Sequence, residues 1–191
     1  MNDRFIDGNV VVLYAIYKSS STQVGLPDYI LRRVRMCLDI YRIIIRSKPD
    51  KNKTAIYLVT NLDSIRNIKD ELQNAGIGED SIMVDTNSKN LRQTCDGINR
   101  FVKDRINPPK IYFVGSVWQR KSFDSIVPRK LKGYVVQFEG ALDSRSVVEI
   151  DNENALDAPK KGIQFYKKQA KDKAANLLLN ILFQNNRKSG R

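Results

Sequence analysis

Four short polar clusters combine the hydroxyls, amides and cations that phosphate and ribose recognition uses. They are Lys18 and Ser19 in K-S-S-S-T-Q, Thr60 with Asn61, Asp85 followed by Ser88 and Asn90, and Ser116 followed by Gln119 and Arg120. Arg33 adds a guanidinium between the first two clusters. Asp85 is the acid of the set, able to accept a ribose hydroxyl or to serve as a carboxylate base, and it is the candidate catalytic group. Each position also has a plainer reading. K-S-S-S-T-Q lacks the glycines of a G-x-G-x-x-G or Walker loop and reads equally as a solvated loop. Ser88 and Asn90 are of the types that cap a following helix. Arg33 reaches an anion or pairs with a nearby carboxylate. Trp118 stacks on a base or fills a gap beneath its loop.

The chain holds no histidine. Ser-His and Cys-His couples, a His-ligated metal and a histidine general base are therefore excluded. Cys37 and Cys95 fall within segments of helical pattern and have no Cys or His neighbour at a metal-ligand spacing. Catalysis, if the chain performs any, would need Asp85, a lysine or a bound metal as its polar centre.

The elements that must position these clusters follow from apolar patterning. The runs Val10 to Tyr17 and Thr54 to Thr60 are apolar and β-branched, as strands buried on both faces are. A short third strand is expected at Ser81 to Asp85 and a fourth at Lys110 to Ser116. Between the first two, Pro27 and Asp28 open a helix carrying Ile30, Leu31, Val34, Cys37, Leu38, Tyr41 and Ile45, ending near Ser47. Asn61 or Asp63 caps a second helix through Ile65, Ile68, Leu72 and Ala75, which Gly76 stops. Leu91, Cys95, Ile98, Val102 and Ile106 mark a third, ended by Pro108 and Pro109. Strand and helix alternate as βαβ units, whose right-handed crossovers make the sheet parallel. Beyond this a short helix at Ser122 to Val127, a fifth strand at Gly133 to Gly140 and a sixth at Ser146 to Ile150 are expected, the last two pairing at an edge.

With 33 Lys and Arg against 21 Asp and Glu the formal net charge is +12. From Pro159 onward stand nine basic residues and the single acid Asp172, so eight of the twelve charges lie there. Ile163, Tyr166, Ala170, Ala174, Leu177, Leu178, Ile181 and Leu182 recur at helical spacing in this stretch, which predicts one long basic helix over 159–184. Lys160, Lys161, Lys167, Lys168 and Lys171 on it could contact nucleic-acid phosphates without reading sequence, or form the solvated outer face of an amphipathic helix. Residues 185–191 read as a disordered tail. No apolar run reaches the roughly 20 residues needed to span a bilayer. The first residues lack the apolar core of a secretory signal, so a cytoplasmic location with reduced thiols is expected.

The order and spacing of these pieces resemble the YdcF/SanA/ElyC family of Rossmann-like domains over roughly residues 10–125. Arg33, Val34, Cys37, Leu38, Ile40 and Tyr41 keep the spacing of that family's first helix. Leu72, Gly76 and Ile77 match the end of its second. Asp85, Ser88 and Asn90 match the acid, Ser and Asn after its third strand, where Leu91, Gln93 and Thr94 replace Thr, Glu and Asn. Ser116 and Trp118 fit the turn after its fourth strand, while Gly115, Gln119 and Ser122 stand where Thr, His and Arg are usual. The resemblance implies a Rossmann-like core over 1–127 and, by analogy with the YdcF-like branch, S-adenosylmethionine or a similar nucleotide as ligand.

The combined expectation is a single three-layer α/β domain over 1–184. Its mainly parallel sheet has five or six strands, edge strands occupy 128–158, and a long basic C-terminal helix follows. Ligands of open parallel sheets bind outside the carboxyl ends of the strands. The clusters above, with Arg33, then line one rim and hold a small anionic, nucleotide-like ligand. The alternative is a nucleic-acid or protein-partner module that works through the basic helix.

Overall fold

The computed structural model describes residues 8–17, 25–47, 54–103, 105, 107–146 and 150. Five strands and four α-helices alternate along them. They run β1 (Val10–Tyr14), α1 (Asp28–Ser47), β2 (Ala55–Val59), α2 (Ile65–Asn74), β3 (Ile82–Asp85), α3 (Leu91–Val102), β4 (Ile111–Ser116), α4 (Arg120–Lys130) and β5 (Val136–Ala141). Short 3₁₀ turns at Leu62–Ser64, Glu79–Ser81 and Val117–Gln119 lead into α2, β3 and α4.

The strands form one sheet in the order β3-β2-β1-β4-β5, and every neighbouring pair is parallel. The central strands β1 and β2 are buried along their whole length, as their unbroken apolar runs require. Strand alternation then sorts the core into two layers. Val11, Leu13, Ile56, Leu58 and Val114 pack with α1 and α2, whereas Val12, Tyr14, Tyr57, Val59 and Phe113 pack with α3 and α4. The chain is thus a three-layer, doubly wound α/β fold of Rossmann-like type. Its crossovers turn to one face after β1 and β2 and to the opposite face after β3 and β4, so the topology reverses between β1 and β4.

Several sequence expectations are corrected in detail. The fourth helix is longer than Ser122 to Val127, spanning 11 residues and tolerating Pro128 in its interior. The third helix ends at Val102, well short of Ile106 and the prolines. On α1 it is Ile44 rather than Ile45 that completes the buried stripe of Ile30, Val34, Cys37 and Tyr41, and Ile45 is 39% exposed. The fifth strand pairs with β4 in parallel, through Phe113 with Phe138 and Ser116 with Ala141, which leaves the sheet wholly parallel. The sixth strand fails at its described ends, since the Ile150 N–H donates to the Ser146 carbonyl, an i to i−4 helical bond. Residues 147–149 and the basic helix expected over 159–184 lie outside the described residues.

Candidate functional site

The carboxyl ends of β1 and β4 lie side by side at the reversal, because Leu13 pairs with Val114 and each strand continues past that level. Their following crossovers lead to helices on opposite faces of the sheet, the arrangement at which open parallel sheets seat ligands. Arg33 stands at this point. It lies on the buried stripe of α1 between Ile30 and Cys37, and its side chain has no exposed surface. Its guanidinium joins the two strand ends directly, donating from Nη1 to the carbonyl of Tyr14 at 3.0 Å and from Nε to the hydroxyl of Ser116 at 2.9 Å.

A buried guanidinium needs a counter-charge, and Asp143, two residues beyond β5, supplies it. Nη2 of Arg33 lies 3.6 Å from Asp143 Oδ2, and the Asp143 side chain is 1% exposed. The same oxygen accepts from Ser116 Oγ at 2.6 Å, from Trp118 Nε1 at 2.9 Å and from Arg145 Nη2 at 2.6 Å. Arg145 also donates from Nε to Oδ1 at 2.9 Å, and its guanidinium lies 3.6 Å from the centre of the Tyr29 ring. Burial alone would raise the Asp143 carboxyl, but the hydrogen bonds from Arg145, Ser116 and Trp118 outweigh it and hold the group well below the usual carboxylate range. Of the two readings left open for Arg33, pairing with a carboxylate is the one found. The indole of Trp118 serves the same carboxylate.

Two glycines shape this end of the sheet. Gly115 and Gly140 are register partners on β4 and β5. A Cβ on Gly115 would come 2.5 Å from Gln119 Oε1, and one on Gly140 would come 3.1 Å from Val117 Cα. Their bare backbones let the turn Val117–Gln119 fold back over both strand ends, which brings Trp118 to Asp143. Gln119 is buried and accepts the Ser116 N–H at 2.8 Å, so it holds the turn. Arg120 points away, pairing with Asp124 at 3.0 Å on the exposed side of α4.

Asp85 belongs to a second cluster. Oδ1 accepts the N–H groups of Asn87 and Ser88 at 2.9 and 3.0 Å, and Oδ2 accepts the hydroxyls of Tyr57 and Ser88 at 2.8 and 2.6 Å. Burial works to raise this carboxyl, and these donors together bring it below its ordinary value. In the other direction, burial first and then the Asp85 bond push the Tyr57 hydroxyl upward. Asp85 aligns with Val59, and Val59 with Tyr14, so three strand spacings of about 4.8 Å, roughly 14 Å in all, separate Asp85 from the level of β4 where Arg33 bonds. Arg33 and Asp85 do not face one another.

The remaining rim residues tie loops together. Thr60 donates its hydroxyl to the Ala15 carbonyl at 3.1 Å, and Asn61 donates its amide to the carbonyl of Tyr17. Asn61 therefore joins the loop after β1 rather than capping the second helix, as its type had suggested, and no side-chain cap stands at either Asn61 or Ser64. Asn90 does cap, accepting the Gln93 N–H at 3.0 Å at the start of α3. Lys18 and Ser19, and the lysines from Lys160 to Lys171, lie outside the described residues.

Among the described residues no group of three or more Cys, Asp or Glu side chains is placed to hold a metal ion. Nor is any helix among them long and apolar enough to cross a membrane. Strand order and reversal define the class as a doubly wound α/β domain with a polar switch point. Comparisons with family models, curated proteins and solved structures find no match to this chain. Sequence reasoning missed Asp143 and Arg145. The signal that finds them is their place just past the carboxyl end of β5, since residues in that position line the rim of a parallel sheet.

Proposed function

We propose that this chain is a binding domain for a small anionic, nucleotide-like ligand seated at the switch between β1 and β4. The observation that carries this reading is the reversal itself, with two guanidiniums, a serine hydroxyl and an indole N–H gathered around Asp143 at that point. Helix N-termini and loop amides converge on such a point in open parallel sheets, and their partial positive charge favours anions.

The roles divide by depth. Arg33 and Ser116 make the floor, locked to Tyr14, and hold the two strand ends at fixed spacing. Lys18 and Ser19, which follow β1 in the sequence, are the groups assigned to a ligand's phosphate or ribose, whereas Gln119 holds the turn after β4 from within and Arg120 is paired with Asp124 on the outer side of α4. Asp85, with all four of its hydrogen bonds made within its own loop and to Tyr57, organises the neighbouring rim. S-adenosylmethionine is one ligand to test, from the family resemblance, and adenine nucleotides are the other.

A thermal-shift screen with ATP, AMP, a nicotinamide dinucleotide and S-adenosylmethionine tests this reading. A ligand present at 100 times its Kd stabilises the fold by about 2.7 kcal/mol, a readily measured rise in Tm. Lys18→Ala, a change at a polar loop position, is expected to weaken that rise. If no compound raises Tm, while salt-sensitive binding of DNA or RNA disappears on truncation after Pro159, the basic C-terminal stretch is the working surface and the rim reading fails.

A further inference from the structure

Oδ2 of Asp143 is surrounded as a ligand's oxygen would be. It receives the Ser116 hydroxyl at 2.6 Å, the Trp118 indole N–H at 2.9 Å and an Arg145 N–H at 2.6 Å, with Arg33 Nη2 at 3.6 Å. Three of these four groups, two hydrogen-bond donors and the Arg33 counter-charge, stand on β4, the turn after it and α1. They would remain in place if residues 142–146 moved. Arg33 among them is wholly buried, and the register of Gly115 and Gly140 fixes the turn that carries Trp118. The donors are thus built into the scaffold, whereas their occupant sits on a segment without regular structure beyond β5.

We propose that Arg33, Ser116 and Trp118 form a receptor for a small oxyanion, a carboxylate or phosphate oxygen of the ligand, and that Asp143 is its internal occupant, displaced when that ligand binds. The proposal rests on the reading of the switch point as the ligand seat and adds how the seat is regulated. Hydrogen-bond donors aimed at one point do not distinguish a carboxylate of the chain from an oxyanion in solution; only effective concentration favours the former. Withdrawal of the segment is inexpensive in apolar terms, because Leu142 beside Asp143 is already 67% exposed. Arg145 travels with Asp143 through its bonds to both carboxylate oxygens.

An occupied receptor lowers apparent affinity by the fraction of molecules in which it stands open. Minor states of this kind are populated at about 0.1–10%. Removing the occupant is therefore expected to strengthen oxyanion binding by about tenfold to a thousandfold.

The test uses the full chain with Asp143→Ala and Asp143→Asn. Inorganic phosphate and acetate are the probes, and chloride at equal ionic strength is the control. The expected result is a saturable rise in Tm for Asp143→Ala with phosphate or acetate, at half-saturating concentrations at least about tenfold below wild type, and a smaller gain for Asp143→Asn, whose amide still fills the space. A folded Asp143→Ala that responds no more to phosphate than to chloride overturns the proposal. Should that variant fail to fold, the wild type decides through the indole N–H resonance of Trp118, the single tryptophan. Displacement of Asp143 by phosphate or ATP moves that resonance, and a resonance unmoved at saturation overturns the proposal. The two readings fail separately. A nucleotide that stabilises the wild type without moving the Trp118 resonance leaves the seat and removes the internal occupant. Oxyanion gain in Asp143→Ala with no nucleotide bound by either protein leaves the receptor and removes the nucleotide.

Discussion

Arg33 on the first helix and Asp143 beyond the last strand meet across the sheet's point of reversal, 3.6 Å apart and both shut off from solvent, with the Ser116 hydroxyl bonded to each. This relationship closes the carboxyl end of β4 from both sides. It also makes the guanidinium's planar fork matter, since three of its nitrogens serve three different partners.

Arg33→Lys is accordingly expected to destabilise the fold although charge is conserved. One ammonium cannot reach Tyr14, Ser116 and Asp143 at once, and hydrogen bonds to charged groups contribute about 1.5–3 kcal/mol each. Urea unfolding should show a loss of about 2 kcal/mol or more relative to wild type. An unchanged midpoint would mean that the guanidinium geometry is not used.

Acid stability follows from two depressed carboxyls. Asp143 and Asp85 titrate below their ordinary 3.8 in the folded chain, so the unfolded chain binds protons more readily than the folded one as pH falls. Their stabilisation is complete above about pH 5 and declines as pH drops through 3.8 toward the folded values. Equilibrium unfolding between pH 6 and pH 3 should show a steeper loss for wild type than for Asp143→Asn, in which one of the two groups no longer titrates. Parallel curves would remove Asp143 from this role.

Gly97 lies on α3 against the Tyr57 and Asp85 pair. A Cβ there would collide with the Tyr57 hydroxyl and come 2.8 Å from Asp85 Oδ2. Ala is a better helix former than Gly by about 1 kcal/mol, yet Gly97→Ala is expected to destabilise by about 1–3 kcal/mol, as overpacking of a tight site does. Combining it with Tyr57→Phe should recover part of that loss in a double-mutant cycle. Simple stabilisation by Gly97→Ala would show that the helix stands further off than described.

Gly140→Ala tests how the turn after β4 is held. Its Cβ would press on Val117 backbone at 3.1 Å, and the turn must shift for it to fit. The expected readout is a change in Trp118 fluorescence as the indole leaves Asp143, with a loss of about 1–3 kcal/mol. Fluorescence identical to wild type would show that Trp118 is placed by something other than the close approach of β5.

Much of the scaffold was legible because its signals are local. The apolar runs at Val10, Ala55 and Ile111 could hardly be anything but central strands, and helices with polar turns between them dictated parallel pairing. Capping chemistry was equally local, so Asn90 was readable from its type and place. Arg33 could be recognised as important yet not paired, because its partner follows a strand that sequence periodicity located only loosely, and a lone Asp in A-L-D-S-R has no spacing that distinguishes it. Asp85 looked chemical for the same reason that it is structural. A short acid before a helix is well placed both to meet a ligand and to accept the loop's own donors, and only the bonds to Asn87, Ser88 and Tyr57 reveal that its oxygens are already engaged.

Ligand seating at the switch is tested most directly by following backbone amide resonances while ATP, and separately S-adenosylmethionine, is added to the full chain. Binding between β1 and β4 predicts saturable shifts concentrated in residues 14–19 and 116–120, with those around Met83 and the far ends of the helices unmoved. Shifts absent from both segments, or confined to residues beyond Pro159, would contradict it.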